Sequence, residues 1–125
     1  MNRVRVEAAP DGRGVTLRLT GPQHELLCRS AQAFCSLLPE GPGRDLALGP
    51  GGADLVELLA PSEGDAEGSV TVVVTSEQLH AIHAMLTTLL VLVPSELTFM
   101  QQVGYFRENA AGMAAGLRRA AGRLA

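Results

Sequence analysis

Lysine and tryptophan are absent from the chain, tyrosine occurs once, and aromatic residues make up only 3% of the 125 positions. Charged residues are also scarce, at 18%, and the formal net charge is −3. Sheets that bind RNA stack bases on aromatic side chains, and a negative chain has no general attraction for phosphate. Both scarcities argue against a general nucleic-acid-binding protein. The hydrophobic content of 46% is that of a globular protein able to form one core.

Only two cysteines occur, Cys28 and Cys35, and both fall on one predicted helix. Their seven-residue spacing places the Cα atoms about 10 Å apart, beyond the ~7 Å that a disulfide can span. The longest apolar run, Leu89–Val93, is far shorter than the ~20 residues needed to cross a bilayer. The N-terminus has no signal-peptide pattern. We therefore expect a soluble cytoplasmic protein with free thiols and no membrane insertion.

Alternation of apolar and polar residues predicts two N-terminal strands, one around Val4 and Val6 and one over 15–20. The turn residues Pro10-Asp11-Gly12 between them predict a β-hairpin. A capping box, with Thr20 as N-cap and Gln23 at the third helical position, then starts a helix that ends near Leu38.

The same local pattern returns 55 positions later, where a strand over 69–75 leads to Thr75 and Gln78 and then to a Leu-rich helix. A further strand is predicted at 55–60, after a Gly/Pro-rich loop, and an acidic loop at 61–68. The pattern predicts two ββα units with a four-stranded antiparallel sheet and both helices on one face. Two C-terminal helices follow, one ending at Gly104 and one over 106–124. The apolar stripe of the second is Phe106, Ala110, Met113, Leu117, Ala120 and Leu124. The predicted organisation is one α+β domain over 1–125, with units at 1–38, 39–53, 54–93 and 95–124.

No pattern typical of catalysis or metal binding is present. Three histidines and both cysteines lie on the two long helices, but the chain has neither a Cys-x-x-Cys nor a His-Glu-x-x-His motif. The glycine loop at 48–54 lacks the Lys-Ser/Thr of a phosphate-binding loop, and no Gly-x-Ser-x-Gly motif occurs. We predict no catalytic residues, no metal site and no cofactor.

The segment 76–118 resembles the C-terminal half of small bacterial α+β proteins of immunity or accessory type. The residues that carry the resemblance are Phe99, Val103-Gly104, Arg107-Glu108, Ala110 and Leu117. A Leu-rich helix followed by a Gly-x-x-Arg-Glu-x-Ala helix is the shared arrangement. The resemblance implies an accessory role and transfers no functional residue to this chain.

Apolar side chains in excess of one small core favour a non-enzymatic protein-binding accessory module, of immunity-inhibitor or assembly-subunit type. The expected partner is another protein chain, in a homo-oligomer or a hetero-complex. The interface candidates are Val73, Met85, Val91, Leu92, Gly112 and Gly116. The alternative is a nucleic-acid-binding accessory protein that uses the C-terminal helix. Its contact residues would be Arg107, Arg118, Arg119 and Arg123.

Overall fold

The computed structural model describes residues 5–8, 14–59 and 68–122. The elements in chain order are β1 (Arg5–Ala8), β2 (Val15–Thr20), α1 (Gly21–Leu37), α2 (Pro42–Leu48), a 3-10 turn (Pro50–Gly52), α3 (Leu55–Leu58), β3 (Ser69–Val74), α4 (Ser76–Leu92), α5 (Glu96–Val103) and α6 (Arg107–Gly122). The α+β class is confirmed. The hairpin turn predicted at 10–12, nearly all of the acidic loop and the last three residues lie outside the described residues.

The sheet of the described residues has three antiparallel strands in the order β1-β2-β3. Its register sets Arg5 opposite Arg18 and Leu17 opposite Val72. One face is buried under the helices, and the opposite face exposes polar side chains, as the alternation predicts. The buried face carries Val15, Leu17, Leu19, Val70, Val72 and Val74.

The predicted four-stranded sheet is wrong, because residues 55–59 of the predicted strand do not form one. Leu55–Leu58 is a helix with Leu59 as its C-cap, and Leu55 and Leu59 are buried while Glu57 is exposed. Burial at positions i and i+4 is the helical period, and five residues are too few to distinguish it from a buried strand. The Gly/Pro-rich segment before it is also not a plain loop, since it contains α2 and the 3-10 turn.

The two predicted capping boxes are confirmed, and the helices that they start have the same length. The side chains of Thr20 and Thr75 accept hydrogen bonds from the backbone N–H groups of Gln23 and Gln78. The side-chain oxygens of these glutamines accept in turn from the backbone N–H groups of the two threonines. Both α1 and α4 have 17 residues. The C-cap residues of the two helices also have nearly equal backbone dihedrals, φ −129° and ψ 88° at Leu38 and φ −125° and ψ 78° at Val93.

The repeated unit is therefore one strand with three helices, and not ββα. The first unit is β2-α1-α2-α3 and the second is β3-α4-α5-α6. Leu17 and Val72 are 55 positions apart and also stand opposite each other, so a pseudo-twofold axis passes between them. The helices are exchanged across this axis, because α2 packs on α4 of the second unit and α5 packs on α1 of the first.

Arg44 closes the C-terminal end of α1. Its Nε donates to the carbonyl oxygen of Leu38 at 2.8 Å, and a terminal nitrogen donates to that of Cys35 at 3.2 Å. Carbonyl groups at a helix end have no partner within the helix, and a cation there also opposes the negative end of the helix dipole.

Arg107 does the same for α4, although it does not occupy the equivalent sequence position. Its guanidinium donates to the carbonyl oxygen of Leu90 at 2.7 Å and to that of Val93. These carbonyls lie 55 positions after those that Arg44 contacts. The guanidinium carbon also lies 5.9 Å from the centre of the Phe99 ring. The two units thus reach the same helix termination with arginines from different elements.

The core combines the buried sheet face with the inner faces of the long helices. The predicted stripe of α6 is confirmed at Ala110, Met113, Leu117 and Ala120. Phe106 was predicted to belong to this stripe, and that is wrong, because its side chain is 56% exposed. It precedes α6, where its backbone N–H donates to Oδ1 of Asn109 at 3.3 Å.

Candidate functional site

Cys28 and His24 bring a thiol and an imidazole together on one side of α1. The sulfur of Cys28 lies 3.6 Å from Nε2 of His24, both residues are buried, and the thiol donates to the carbonyl oxygen of Leu59. Burial raises the pKa of the Cys28 thiol, as does the charge of Glu25, and burial lowers the pKa of His24. Both groups are therefore held neutral at pH 7, which is the reverse of an activated thiolate–imidazolium pair.

This geometry predicts that Cys28 reacts more slowly than the half-buried Cys35. A short pulse of iodoacetamide at pH 8, followed by peptide mass spectrometry, should label Cys35 at least about tenfold faster than Cys28, because the thiolate is the reactive form. In urea the two rates should become similar. Preferential labelling of Cys28 in the folded protein would contradict the assignment of this pair as structural.

The histidines of α4 do not assemble a metal site. The described residues contain no group of three or more His, Cys, Asp or Glu side chains placed to hold a metal ion. Burial lowers the pKa of His83, and the charges of Arg118 and His80 lower it further. Its Nε2 is buried without a hydrogen-bond partner within the described residues. His83 therefore contributes a neutral side chain to the helix packing.

The glycine loop of the first unit lies on the N-terminal turn of α4. A side chain at Gly51 would overlap the backbone carbonyl of Glu77 and lie 2.5 Å from the backbone nitrogen of Gln78. A Cβ atom added at Gly49, at the C-terminal end of α2, would lie about 4 Å from the ring of His80. The loop packs so closely on the helix that it leaves no space for a phosphate group there.

The equivalent place in the second unit is left open by the described residues. A groove of about 550 Å³ lies between the N-terminal turn of α1 and the turn that joins α5 to α6. It is lined by Thr20, Pro22, Met100, Gly104, Tyr105, Phe106 and Asn109. Gly51 of the closed site corresponds to Phe106 of the groove, 55 positions later.

Polar contacts hold the α5–α6 turn against α1 beside this groove. The hydroxyl of Tyr105 donates to Oε2 of Glu25 at 3.0 Å, and Nε of Arg29 donates to Oε1 of the same carboxylate at 2.8 Å. Gly104 ends α5 in the left-handed conformation, with φ 83°, and a Cβ atom added there would lie 3.0 Å from a terminal nitrogen of Arg29. The wall of the groove is thus positioned before any ligand binds.

The interface candidates predicted from the sequence differ in their exposure. Val73 on β3 is 60% exposed and Val91 near the end of α4 is 78% exposed. Leu92 is also exposed, whereas Met85 is fully buried in the core and cannot contact a partner. Gly112 is exposed on α6 with open space around it, and Gly116 is half-buried. Leu97 and Phe106 are further exposed apolar side chains that the sequence did not single out as interface candidates. A helical pattern alone does not reveal which end of a helix extends beyond the core.

Of the four arginines in the nucleic-acid alternative, Arg107 is engaged with the end of α4, as described above. Arg118 and Arg119 are exposed on α6, and Arg123 lies outside the described residues. The described helices include none long and apolar enough to span a membrane. Comparison of the chain with protein-family models, with curated proteins and with solved structures finds no significant match.

Proposed function

We propose that this protein is a non-enzymatic protein-binding module whose groove between α1 and the α5–α6 turn receives an extended apolar segment of another protein. The observation that carries the proposal is the difference between the two units. In the first unit the space on the helix N-terminus is filled by the chain's own Gly-Pro-Gly-Gly turn, and in the second the described residues leave it open. Immunity-type inhibitors and assembly subunits both belong to this class.

The chemistry of the groove supports an apolar occupant. Pro22, Met100 and the exposed ring of Phe106 present carbon surface, while Thr20 and Asn109 supply polar groups at the margin. Pockets that bind peptides combine apolar area with a few polar groups that fix orientation. The charged groups beside it, Glu25 and Arg29, neutralise each other, so no strong charge selects the ligand.

Selection of a random-peptide display library on the purified protein tests this proposal. The enriched peptides should be apolar, and a synthetic copy should bind the wild type with micromolar Kd. Phe106→Asp should weaken binding at least about tenfold, because it places a charge in the apolar contact. Leu97→Asp is the matched control, since Leu97 is 69% exposed on α5 but does not line the groove. Equal binding by both variants, or no enrichment over an unrelated protein, would contradict the proposal.

The nucleic-acid alternative makes the opposite prediction and is tested on the same preparation. Contacts through several arginines release counterions, so affinity would fall steeply with salt. We expect no binding to mixed-sequence DNA or RNA tighter than ~10 μM at physiological salt, weaker than typical specific complexes. Micromolar binding with a steep salt dependence that is lost in the variant Arg118→Ala/Arg119→Ala would favour the alternative.

A further inference from the structure

We infer that β3 is a self-association edge, through which two copies of this chain pair their β3 strands antiparallel and form one continuous six-stranded sheet. This surface is separate from the groove, and the inference does not depend on the proposed function. β3 ends the three-stranded sheet, and no strand of the described residues pairs with its outer edge.

The composition of β3 is that of a paired strand. Edge strands of monomeric proteins usually carry charges, especially lysine, or proline, which prevent pairing with other chains. β3 has the sequence Ser-Val-Thr-Val-Val-Val and contains neither. Its alternate residues Thr71 and Val73 are exposed on the open face of the sheet.

The equivalent strands of the two units differ in where they carry a charged residue. Val73 corresponds to Arg18, which lies on the central strand β2 and contacts Glu7 of β1 at 3.7 Å. The charged side chain thus lies on the central strand β2, and the apolar one lies on the edge strand β3. This is the reverse of the distribution that keeps a sheet from extending.

The occupant that fits this edge is a second copy of β3. A symmetric pair has its twofold axis perpendicular to the sheet, so the helices of both copies lie on one face. Residues that stand directly opposite each other in the two strands must have their side chains on the same face of the sheet. The twofold axis must therefore pass between two copies of the same residue. Centring the pair on Val72 overlaps five residues of β3, as centring on Thr71 also would, but only the Val72 register repeats the pairing of Leu17 with Val72 in the β2–β3 ladder. It sets Thr71 opposite Val73 of the second copy and places no like charges face to face.

The molecule already contains a pairing of this kind. β2 and β3 are equivalent strands of the two units, and they pair antiparallel around the axis between Leu17 and Val72. Pairing β3 with β3 of a second copy repeats the same register with a strand that lacks Arg18. The sheet twist and the cover of helices on one face can continue across such a contact.

Sedimentation of the full chain at tens of micromolar tests the inference, with dimer as the expected result. Val73→Arg restores to the edge the charge that β2 carries and should raise the dimer Kd at least about tenfold, because the two arginines face each other diagonally. Val91→Arg is the matched control, since it adds the same charge at an exposed valine outside the sheet and should leave the Kd unchanged. A strictly monomeric wild type, or equal effects of both substitutions, would overturn the inference.

Cysteine cross-linking tests the register itself, in a background with Cys35→Ser. Directly opposite residues have Cα atoms about 4.5–5.5 Å apart, within the range of a disulfide. An equimolar mixture of Thr71→Cys and Val73→Cys proteins should therefore form disulfide-linked heterodimers on mild oxidation. Val73→Cys alone should cross-link at least about tenfold more slowly, because its diagonal distance is about 7–8 Å. Equally rapid cross-linking of the single variant would overturn the register.

Discussion

Gly51→Ala should lower the free energy of unfolding by about 3 kcal/mol, although it adds a single methyl group. The added carbon would overlap the backbone carbonyl of Glu77 and lie 2.5 Å from the backbone nitrogen of Gln78. Backbone atoms of a helix cannot rotate aside as the end of a side chain does. The turn must therefore move away from α4, and the contact that closes the first unit is lost. Urea unfolding followed by circular dichroism measures the change.

Gly112→Ala is the control for this prediction, because it is the same substitution with the opposite expected sign. Gly112 is exposed in the middle of α6, and no heavy atom outside its own helix lies within 4 Å of the added carbon. Alanine has a higher helix propensity than glycine, so the variant should gain up to about 1 kcal/mol. A Gly51→Ala variant as stable as the wild type would show that the first unit is not closed in the way described.

Arg107→Ala should cost about 2–3 kcal/mol of stability, since hydrogen bonds to charged groups contribute about 1.5–3 kcal/mol each and a buried acceptor left alone is costly. The substitution removes the bonds to the carbonyl oxygens of Leu90 and Val93 and the contact with the Phe99 ring. Arg107→Lys should recover only part of this loss, because the lysine side chain is shorter and its ammonium group lacks the planar guanidinium that lies over the Phe99 ring.

Arg118→Ala provides the matched comparison, since this arginine is exposed on the same helix. Its removal should change the free energy of unfolding by no more than about 0.5 kcal/mol. The pair of variants separates the structural role of Arg107 from a role in ligand contact. If Arg107→Ala left stability unchanged and Arg118→Ala reduced it, the assignment of Arg107 to the end of α4 would be wrong.

The two capping boxes show which features of the fold can be predicted from residues close together in the sequence. Each depends on a threonine, a glutamine three residues later and the apolar positions that follow, all within one or two helical turns. Both helices therefore begin where the sequence predicts, and the 55-residue offset noticed in the sequence is also the offset of the structural repeat. The unit that repeats at this offset, however, is a strand with three helices. The sequence predicted a ββα unit instead, because the four residues of the helix at 55–58 are too few to show a helical period.

The differences between the two units could not be predicted from local patterns. Gly51 and Phe106 occupy equivalent positions, yet one lies tightly on a helix and the other leaves a groove, because each meets a helix from the other unit of the chain. Likewise, nothing near Arg107 in the sequence indicates that its guanidinium reaches carbonyls 14 and 17 positions earlier. Such contacts depend on which helices are neighbours, and that is decided by packing.

The sequence by itself determined the absence of recognisable catalytic and metal-binding motifs, the α+β class, the start of both long helices and the alternation that gives the sheet one buried face. These features follow from residue types and from spacings shorter than two helical turns, where backbone geometry leaves few alternatives. Only the tertiary structure decided that β3 lies at the edge, that Met85 is buried and that Phe106 is exposed. Strand order and burial depend on contacts between segments far apart in the chain, and local spacing contains no information about them.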